Sequence, residues 1–392
     1  MERQRHSFLA RATMTLLLAM LTTVGAWATI TGSGTQTDPY VLNDAADWAT
    51  FANQNNANTY WGSNVYVKLS DTWDNSSNAV TAMVGTNGPK FCGTFNGNGK
   101  TLTLALTTDG NEFTAPFRYV DGATIKLLHT AGTVNGSTQK FATGLIGYTD
   151  GTVTISSCRS SVAITSNRSN MGDKDATHGG FIGVAGGTVT FTNCLFDGSI
   201  TDAAATNCGG FVGWRNGTLT FNNCLMAGMM TLSSTDGTAT FSRNNGEKTT
   251  LNHCYYKTSY GDVQGTAVGQ TSNATLIDNE HLGSAWEISG NNVVPMMNKY
   301  NIAGVTVSGL NSKYLYDNGN AIAINYTVTD INGTQLTPGT HFNAVITKGG
   351  ETVNSVTDKG EYVLTLTGLS PYTGTKTLNF TVQRDRRGNE LH

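Results

Sequence analysis

Short runs in which apolar and polar residues alternate recur through the middle of the chain. Residues 188–192 and 218–222 each place two apolar side chains between polar ones, with a period of two. That period is typical of a β-strand with one buried face, and glycine, asparagine or aspartate ends each run, as at a turn. We therefore predict short strands in this region. The side chains predicted to face inward are Val153, Ile155, Val189, Phe191, Leu219 and Phe221.

The alternating runs belong to a repeat of about thirty residues. Three segments align without a gap: each contains a Gly-X-X-Gly unit with apolar X, and a cysteine follows the last glycine after 11 residues. The units are 144–147, 180–183 and 210–213, and a decayed copy runs from residue 241 to Cys254. One such unit cannot bury its apolar face alone, whereas stacked units can. The spacing predicts a right-handed parallel β-solenoid, since a propeller blade needs about 40 to 50 residues.

Two earlier stretches look like further coils that lack the cysteine. Residues 91–106 and 115–127 share the glycine-rich, alternating pattern, which brings the expected count to roughly six coils. We assign residues 91–300 to the solenoid and residues 29–90, which include Trp48, to an N-terminal cap region.

At these residues the chain resembles a known family. The Gly-Phe-Ile-Gly and Gly-Phe-Val-Gly units, each followed by a threonine-rich strand and Asn-Cys, resemble the GLUG repeat of bacterial secreted and surface proteins. The segment 95–101 is similar to the coil that commonly precedes such repeats. The resemblance implies an exported protein. GLUG repeats also occur in immunoglobulin-cleaving metalloproteases, but this chain has no His-Glu-x-x-His sequence, so the resemblance implies nothing catalytic.

The pattern changes at about residue 301, where the cysteines and the thirty-residue step disappear. The alternating runs that replace them are 304–307, 321–328, 362–367 and 378–382. Turn sequences separate these runs, which predicts a small antiparallel β-sandwich over residues 301–383 and a polar tail at 384–392. The stretch 372–382 resembles bacterial immunoglobulin-like (Ig-like) stalk domains. That resemblance implies a spacer.

Residues 1–28 have the pattern of a secretory signal peptide. Three arginines accompany an apolar run at 14–24, and Ala26-Trp27-Ala28 is a small-x-small cleavage sequence. The alternative is a membrane anchor, but the run is well short of the roughly 20 residues that a spanning helix needs. No later apolar stretch reaches that length. We expect a chain that is secreted or held at the outer cell surface, without a membrane-spanning segment after cleavage.

Composition narrows the classes of function. The chain has 46 glycines, 61 threonines and 38 asparagines, which disfavours long helices. With 38% hydrophobic residues it is also too apolar for general disorder, so an all-β fold is expected. The formal net charge of −3 argues against a nucleic-acid partner, which would require a basic stripe.

Six cysteines in an exported chain could form disulfides or bind a metal. Four of them recur in register and predict a column of small buried side chains: Cys158, Cys194, Cys224 and Cys254. Bridges between adjacent coils stay open, although stacked Cβ vectors suit them poorly. Cys92 and Cys208 fall off the column and could be free thiols. Without a Cys-x-x-Cys or a nearby histidine pair, we expect no zinc site and no cofactor.

An insertion at 166–178 lengthens one step of the repeat to 36 residues and is rich in acids and bases. Its candidate binding residues are Arg168, Asp173, Lys174, Asp175 and His178. Asp173 and Asp175 could act as paired carboxylates for sugar chemistry, which needs two carboxyl groups about 5 to 9 Å apart. A solvated loop that protrudes between coils is the simpler alternative. Calcium is disfavoured, because Asp-Lys-Asp lacks further oxygen ligands.

The function predicted from these features is binding without catalysis. We expect an exported surface protein that adheres to glycans or host surface proteins through the insertion or the Ig-like module. Trp61, Trp73 and Trp214 could stack on sugars, although tryptophan is more often half-buried. The alternatives are a carbohydrate-active β-helix enzyme, either a polysaccharide lyase or a hydrolase, and a purely structural stalk segment. Against an enzyme, we find no recurrent aspartate pair on a strand face.

Overall fold

The computed structural model describes residues 30–58, 62–167, 176–243 and 248–384. Within these ranges the protein is all-β, and its main body is a parallel β-solenoid of about seven turns. The predicted all-β class and the predicted parallel solenoid are confirmed. The predicted signal peptide and all but the first residue of the predicted tail lie outside the described residues.

One long parallel sheet forms a face of the solenoid. Its strands pair in register from coil to coil: Tyr66–Leu69, Thr94–Thr107, Thr124–Asn135, Thr152–Ser156, Thr188–Thr192, Thr218–Asn222 and Thr249–Asn252. All six side chains predicted to face inward are fully buried. The first of these strands lies in the segment that we assigned to the cap, and strand Tyr40–Leu42 pairs with it. The solenoid therefore begins earlier in the chain than predicted.

Two further faces close each coil. One face, called here the flank sheet, consists of Phe117–Asp121, Ile146–Asp150, Ile182–Ala185 and Val212–Arg215. The other, called the third face, consists of short parallel strands: Arg159–Ser160, Ala163–Thr165, Leu195–Phe196, Ser199–Asp202, Leu225–Met226, Met229–Leu232, Tyr255–Tyr256 and Thr266–Ala267. Strands Phe113–Thr114 and Phe141–Ala142 form a small parallel pair beside the flank sheet.

Aromatic rings stack along the core of the solenoid. The ring of Phe191 lies 4.8 Å from that of Phe221 at an interplanar angle of 6°. Phe211 stacks in the same way, 4.9 Å from Phe181 and 5.0 Å from Phe241. Equivalent residues on neighbouring strands are about 4.8 Å apart, a distance at which aromatic rings stack. The regular repeat therefore turns single phenylalanines into continuous ladders.

The first glycine of each Gly-X-X-Gly unit is required by close packing between coils. A Cβ atom at Gly180 would lie 2.3 Å from the carbonyl oxygen of Gly210, and one at Gly210 would lie 2.1 Å from that of Thr240. Non-bonded heavy atoms prefer separations of about 3.5 to 4.0 Å. Only glycine therefore fits at this corner without displacing the next coil.

The predicted cysteine column is confirmed by its members, which are nearly or fully buried: Cys158, Cys194, Cys224 and Cys254. Each follows a residue with φ between 48° and 55°, which turns the chain from the long sheet into the third face. All six cysteines lie in the described ranges, and none of them forms a disulfide bond. Burial raises the pKa of the Cys158 and Cys224 thiols well above the ordinary value, which keeps them protonated and unreactive.

A helix closes the N-terminal end of the core. Helix Ala45–Asn56 begins after Asp44, whose carboxylate accepts two backbone N–H groups of the first turn at 2.9 and 3.0 Å. Trp48 is fully buried and lies edge-to-face on Phe95 and Phe117, with centroid distances of 5.8 and 5.5 Å. The helix thus covers the core where the coils begin.

After the last coil the chain runs back along the outside of the solenoid. Residues 268–297, called here the strap, include the short helix Asn273–Leu276 and a hairpin of strands Trp286–Ser289 and Asn292–Pro295. Buried side chains of the strap pack on outward residues of the third face, including Leu195 and Leu225. The strap therefore covers an apolar stripe that would otherwise face water.

The C-terminal module combines two small sheets around one core. The three-stranded antiparallel sheet is Thr306–Ser308, Thr327–Thr329 and Gln335–Leu336, and the five-stranded mixed sheet is Lys313–Leu315, Phe342–Lys348, Glu351–Thr352, Gly360–Gly368 and Thr375–Gln383. A 3-10 turn, Ile302–Gly304, precedes them. The runs at 362–367 and 378–382 lie in strands as predicted, whereas residues 321–326 are not strand. The strand Phe342–Lys348 was missed.

Candidate functional site

Four of the five predicted binding residues, Arg168, Asp173, Lys174 and Asp175, lie outside the described residues. The fifth, His178, is fully buried, so its assignment to an exposed binding loop was wrong. Its Nδ1 accepts the N–H of Ala142 at 3.0 Å, and its Nε2 lies 2.9 Å from Oδ2 of Asp202. Because Nδ1 is an acceptor, the ring proton is on Nε2 and is donated to the carboxylate.

The same hydrogen bond affects the pKa of Asp202, the partner of His178. Burial alone would raise the pKa of Asp202, but hydrogen bonds from His178 and from the backbone N–H of Ala204 outweigh it and leave the pKa lowered. Both side chains are fully buried. The pair therefore fastens the end of the insertion to the core and is not exposed to a ligand.

A cleft of about 340 Å³ lies on the outer side of the flank sheet, beside the small strand pair. One wall is a column of outward residues that pair in register on successive coils: Tyr148, Val184 and Trp214. Tyr119 pairs with Tyr148 on the preceding coil but does not line the cleft. The other wall contains Phe113 and Phe141, whose rings stack 4.8 Å apart. We call this feature the aromatic cleft.

Charged side chains form the rim of the aromatic cleft: Glu112, Lys140 and Arg243. Thr177 also lines the cleft, but it is buried and its hydroxyl accepts from Arg243 at 3.4 Å. The Arg243 guanidinium lies 4.6 Å from the ring centroid of Trp214, and Lys140 Nζ lies 5.5 Å from that of Phe141. These are cation–π distances. Tyr148 and Trp214 remain partly exposed, whereas Phe113 and Phe141 are only 3% and 6% exposed. The cleft thus offers apolar ring surface below and hydrogen-bonding groups at its edge.

The three tryptophans proposed as sugar platforms have different positions. Trp214 lies in the aromatic cleft. Trp73 is 4% exposed and donates its indole N–H to the carbonyl of Thr101 at 2.9 Å, so it belongs to the core. Trp61 lies outside the described residues. Sequence reasoning missed the remaining rings, although a signal exists: Tyr148, Val184 and Trp214 all directly follow the last glycine of a Gly-X-X-Gly unit.

A polar cluster at the third face of the solenoid contains the residue types of a hydrolytic site. His129 lies between two hydroxyls, with Nδ1 3.0 Å from Thr101 Oγ1 and Nε2 2.8 Å from Ser161 Oγ. Ser161 Oγ is 2.6 Å from Oδ1 of Asp197, and Arg159 forms a bidentate ion pair with the same carboxylate. Burial, assisted by the nearby Arg159 charge, lowers the pKa of His129 to about 4.

The directions of these hydrogen bonds argue against nucleophilic catalysis. Ser161 has one proton, and the short contact assigns it to the Asp197 carboxylate, which accepts and cannot donate. His129 must then donate from Nε2 to Ser161, and its Nδ1 accepts from Thr101. A catalytic histidine has to do the opposite and take the serine proton. The cluster is a chain of hydrogen bonds that ties successive coils together.

One aspartate pair does occur on a strand face, contrary to our expectation. Asp121 and Asp150 pair in register on adjacent strands of the flank sheet. Lys90 forms an ion pair with Asp150, and Tyr148 Oη lies 3.3 Å from Oδ1 of Asp150. The hydrogen bond to Asp150 is the main cause of a raised Lys90 pKa. Asp150 is therefore engaged by two neighbours and is not placed as a free acid or base.

The described residues contain no group of three or more histidine, cysteine or carboxylate side chains that could hold a metal ion. None of the helices in the described ranges is long and apolar enough to cross a membrane.

Comparison with known proteins gives a distant structural match. No protein-family model and no curated protein matches the sequence. Among solved structures, the chain is similar to a "putative immunoglobulin A1 protease" from Bacteroides ovatus, at 14% sequence identity and a TM-score of 0.44. The match covers 68% of this chain and 94% of the other. At this identity and TM-score it carries no argument about activity.

Proposed function

We propose that the protein is a non-enzymatic binding protein that holds a short saccharide segment in the aromatic cleft. One observation carries the proposal: the repeat places Tyr148, Val184 and Trp214 side by side on the solenoid surface, opposite Phe113 and Phe141. A ligand that contacts this column meets aromatic rings two coils apart, with the valine of the intervening coil between them.

Saccharides suit such a surface for a physical reason. The C–H face of a pyranose is apolar and stacks on aromatic rings, while its hydroxyls need donors and acceptors at the edge of the site. The rim offers both kinds of group, since Glu112 accepts and Lys140 and Arg243 donate. A volume of about 340 Å³ is near the lower end of ligand pockets, which suits a short segment and not a large folded partner.

The setting we propose for this activity is the outer surface of a bacterial cell. It is supported by the signal-peptide pattern at 1–28 and by the resemblance of the repeats to GLUG proteins. The C-terminal module, with two sheets around one core, then acts as an Ig-like spacer. In this arrangement the solenoid presents the aromatic cleft to host or matrix glycans, and the protein is an adhesin.

A glycan array followed by calorimetric titration of the best ligands tests the proposal. Tyr148→Ala and Trp214→Ala should each weaken binding by about tenfold or more, because ring stacking on a base or sugar contributes roughly 1 to 3 kcal/mol. The matched control is Tyr316→Ala: this tyrosine is also partly exposed, and a lysine lies 5.3 Å from its ring, as Lys90 lies 5.6 Å from that of Tyr148.

The same ligands should be incubated with the protein in a reducing-sugar release assay, in which we expect no product. Release of reducing ends that depends on Asp150 or on the 166–178 insertion would show an enzyme in place of an adhesin. Glycan binding that is equal in the cleft variants and the Tyr316→Ala control would show that the aromatic cleft is not the binding site.

A further inference from the structure

A second cleft, of about 330 Å³, lies where the C-terminal module meets the first coils. Three distant parts of the chain line it: residues 36–39 near the start, side chains of the first coils, and side chains at and beyond residue 299. The lining side chains include Lys68, Asn96, Asn98, Lys299, Asp330 and Asn332. We call it the junction cleft, and it is separate from the aromatic cleft.

Part of the junction cleft is a closed hydrogen-bond network. Asn96 donates to Oδ1 of Asn332 at 2.9 Å, which joins the solenoid to the module. Asn98 and Lys299 both donate to Oδ1 of Asp71, at 2.7 and 2.5 Å. The hydrogen bonds from Lys299 and Asn98 lower the pKa of Asp71. These groups satisfy one another, so they fix the position of the module and offer little to a ligand.

Two lysines beside this network, Lys68 and Lys126, lack such partners in the described part of the chain. Lys68 and Lys126 flank Asn96 on successive strands of the long sheet, so all three side chains belong to one outward column. Neither ammonium group forms a hydrogen bond or an ion pair within 4.0 Å with any described residue. Both side chains are partly buried. Each therefore has three donors in a space with restricted access to water.

Asp330 attracts Lys126 but does not give its ammonium group a hydrogen-bond acceptor. Burial lowers the pKa of Lys126, and attraction to Asp330 opposes this only in part. Asp330 is 4% exposed, and its Oδ1 already accepts the N–H groups of Asn332 and Thr334 at 2.9 and 2.8 Å. Removing an ammonium group from water without giving it an acceptor is unfavourable. An anion in the neighbouring cleft would add a second negative charge near Lys126.

We propose that the junction cleft binds a small polyhydroxylated anion, whose carboxylate or phosphate group is bound by Lys68, which lines the cleft, and attracted by the charge of Lys126, which lies outside the lining on the same column. The hydroxyls of such a ligand face Asp330 and the tyrosine hydroxyls of Tyr300 and Tyr372, which also line the cleft. Charge-assisted hydrogen bonds to the Lys68 ammonium group provide most of the affinity. Because the walls belong to both the solenoid and the module, the bound anion also strengthens the contact between them.

Thermal unfolding of the full chain tests this site without a catalytic assay. The probes are glucuronate, glucose 1-phosphate and uncharged glucose, each at the same ionic strength set with sodium chloride. A ligand that binds only the folded state raises Tm with concentration. We expect a rise with at least one anionic probe and none with glucose. A response to only one anion identifies carboxylate or phosphate as the preferred group.

The variant Lys68→Gln/Lys126→Gln should lose the response, with an affinity at least about tenfold weaker. In the absence of a probe it should be no less stable than the wild type, since it removes two ammonium groups that have no partner. The control Lys257→Gln/Lys313→Gln changes the net charge equally at two exposed positions and should respond like the wild type. No response of the wild type to either anion, an equal response to glucose, or a full response of the Lys68/Lys126 variant would each overturn the proposal.

Discussion

Replacing Phe191 by alanine is the perturbation that tests the stacked core most sharply. The ring is fully buried, stacks on Phe221 at 4.8 Å, and lies edge-to-face on Phe181 and Phe211, both at 5.6 Å. Phenylalanine to alanine in a core costs about 3 to 5 kcal/mol, and each aromatic pair adds about 0.5 to 1.5 kcal/mol beyond burial. With three such pairs, we expect a loss near the upper end, about 5 kcal/mol.

Urea unfolding followed by circular dichroism measures this loss as a lower midpoint. A solenoid can unfold in part, because each coil contacts only its neighbours, so hydrogen exchange of residues 180–225 should be followed in the same samples. The control is Thr190→Ala, the adjacent residue on the same strand, whose side chain is only partly buried and points to the other face. We expect at most about 1 kcal/mol there. Equal losses in the two variants would refute an inward ladder of rings.

Three further predictions concern single residues. The folded pKa of His129 is about 4 against about 6.5 unfolded, so the unfolded chain gains a proton first as pH falls. Stability should therefore fall between pH 6.5 and 4, by at most roughly 3 kcal/mol, and urea titrations of His129→Gln should lack this slope. Gly210→Ala should lower the thermal midpoint strongly because its Cβ would lie 2.1 Å from the Thr240 oxygen, whereas Gly88→Ala, with its nearest contact at 3.8 Å, should not. Gly99→Ala, whose Cβ would lie 2.3 Å from the Met297 oxygen, should speed proteolysis of the strap without unfolding the coils.

Much of the solenoid could be predicted because the sequence pattern that produces it is local and is repeated in each coil. The alternation at Val189 and Phe191 fixes which side of the strand is buried, and the constant step fixes which coils are neighbours. The cysteine column follows from the same register. The first coil lies in the segment assigned to the cap: Tyr66–Leu69 is a single short strand without the glycine-rich, alternating pattern of residues 91–106, and it becomes recognisable only by its pairing with Thr94–Thr107.

The aromatic cleft could not be predicted in the same way. Its walls come from the flank sheet and from the small strand pair beside it, and the distance between Phe141 and Trp214 depends on how sharply each coil turns. His178 was misassigned for a related reason: the composition of the insertion indicates a solvated loop, but its last residues already belong to the next coil and are buried by it. The junction cleft depends on the path of the strap, which returns the module to the first coils.

A crystal structure of the protein with the tightest-binding oligosaccharide from the array tests the central claim most directly. We predict a sugar ring within van der Waals distance of Tyr148 and Trp214, with hydroxyls bonded to side chains of the rim. An oligosaccharide bound elsewhere on the chain, with the aromatic cleft unchanged, would contradict the account.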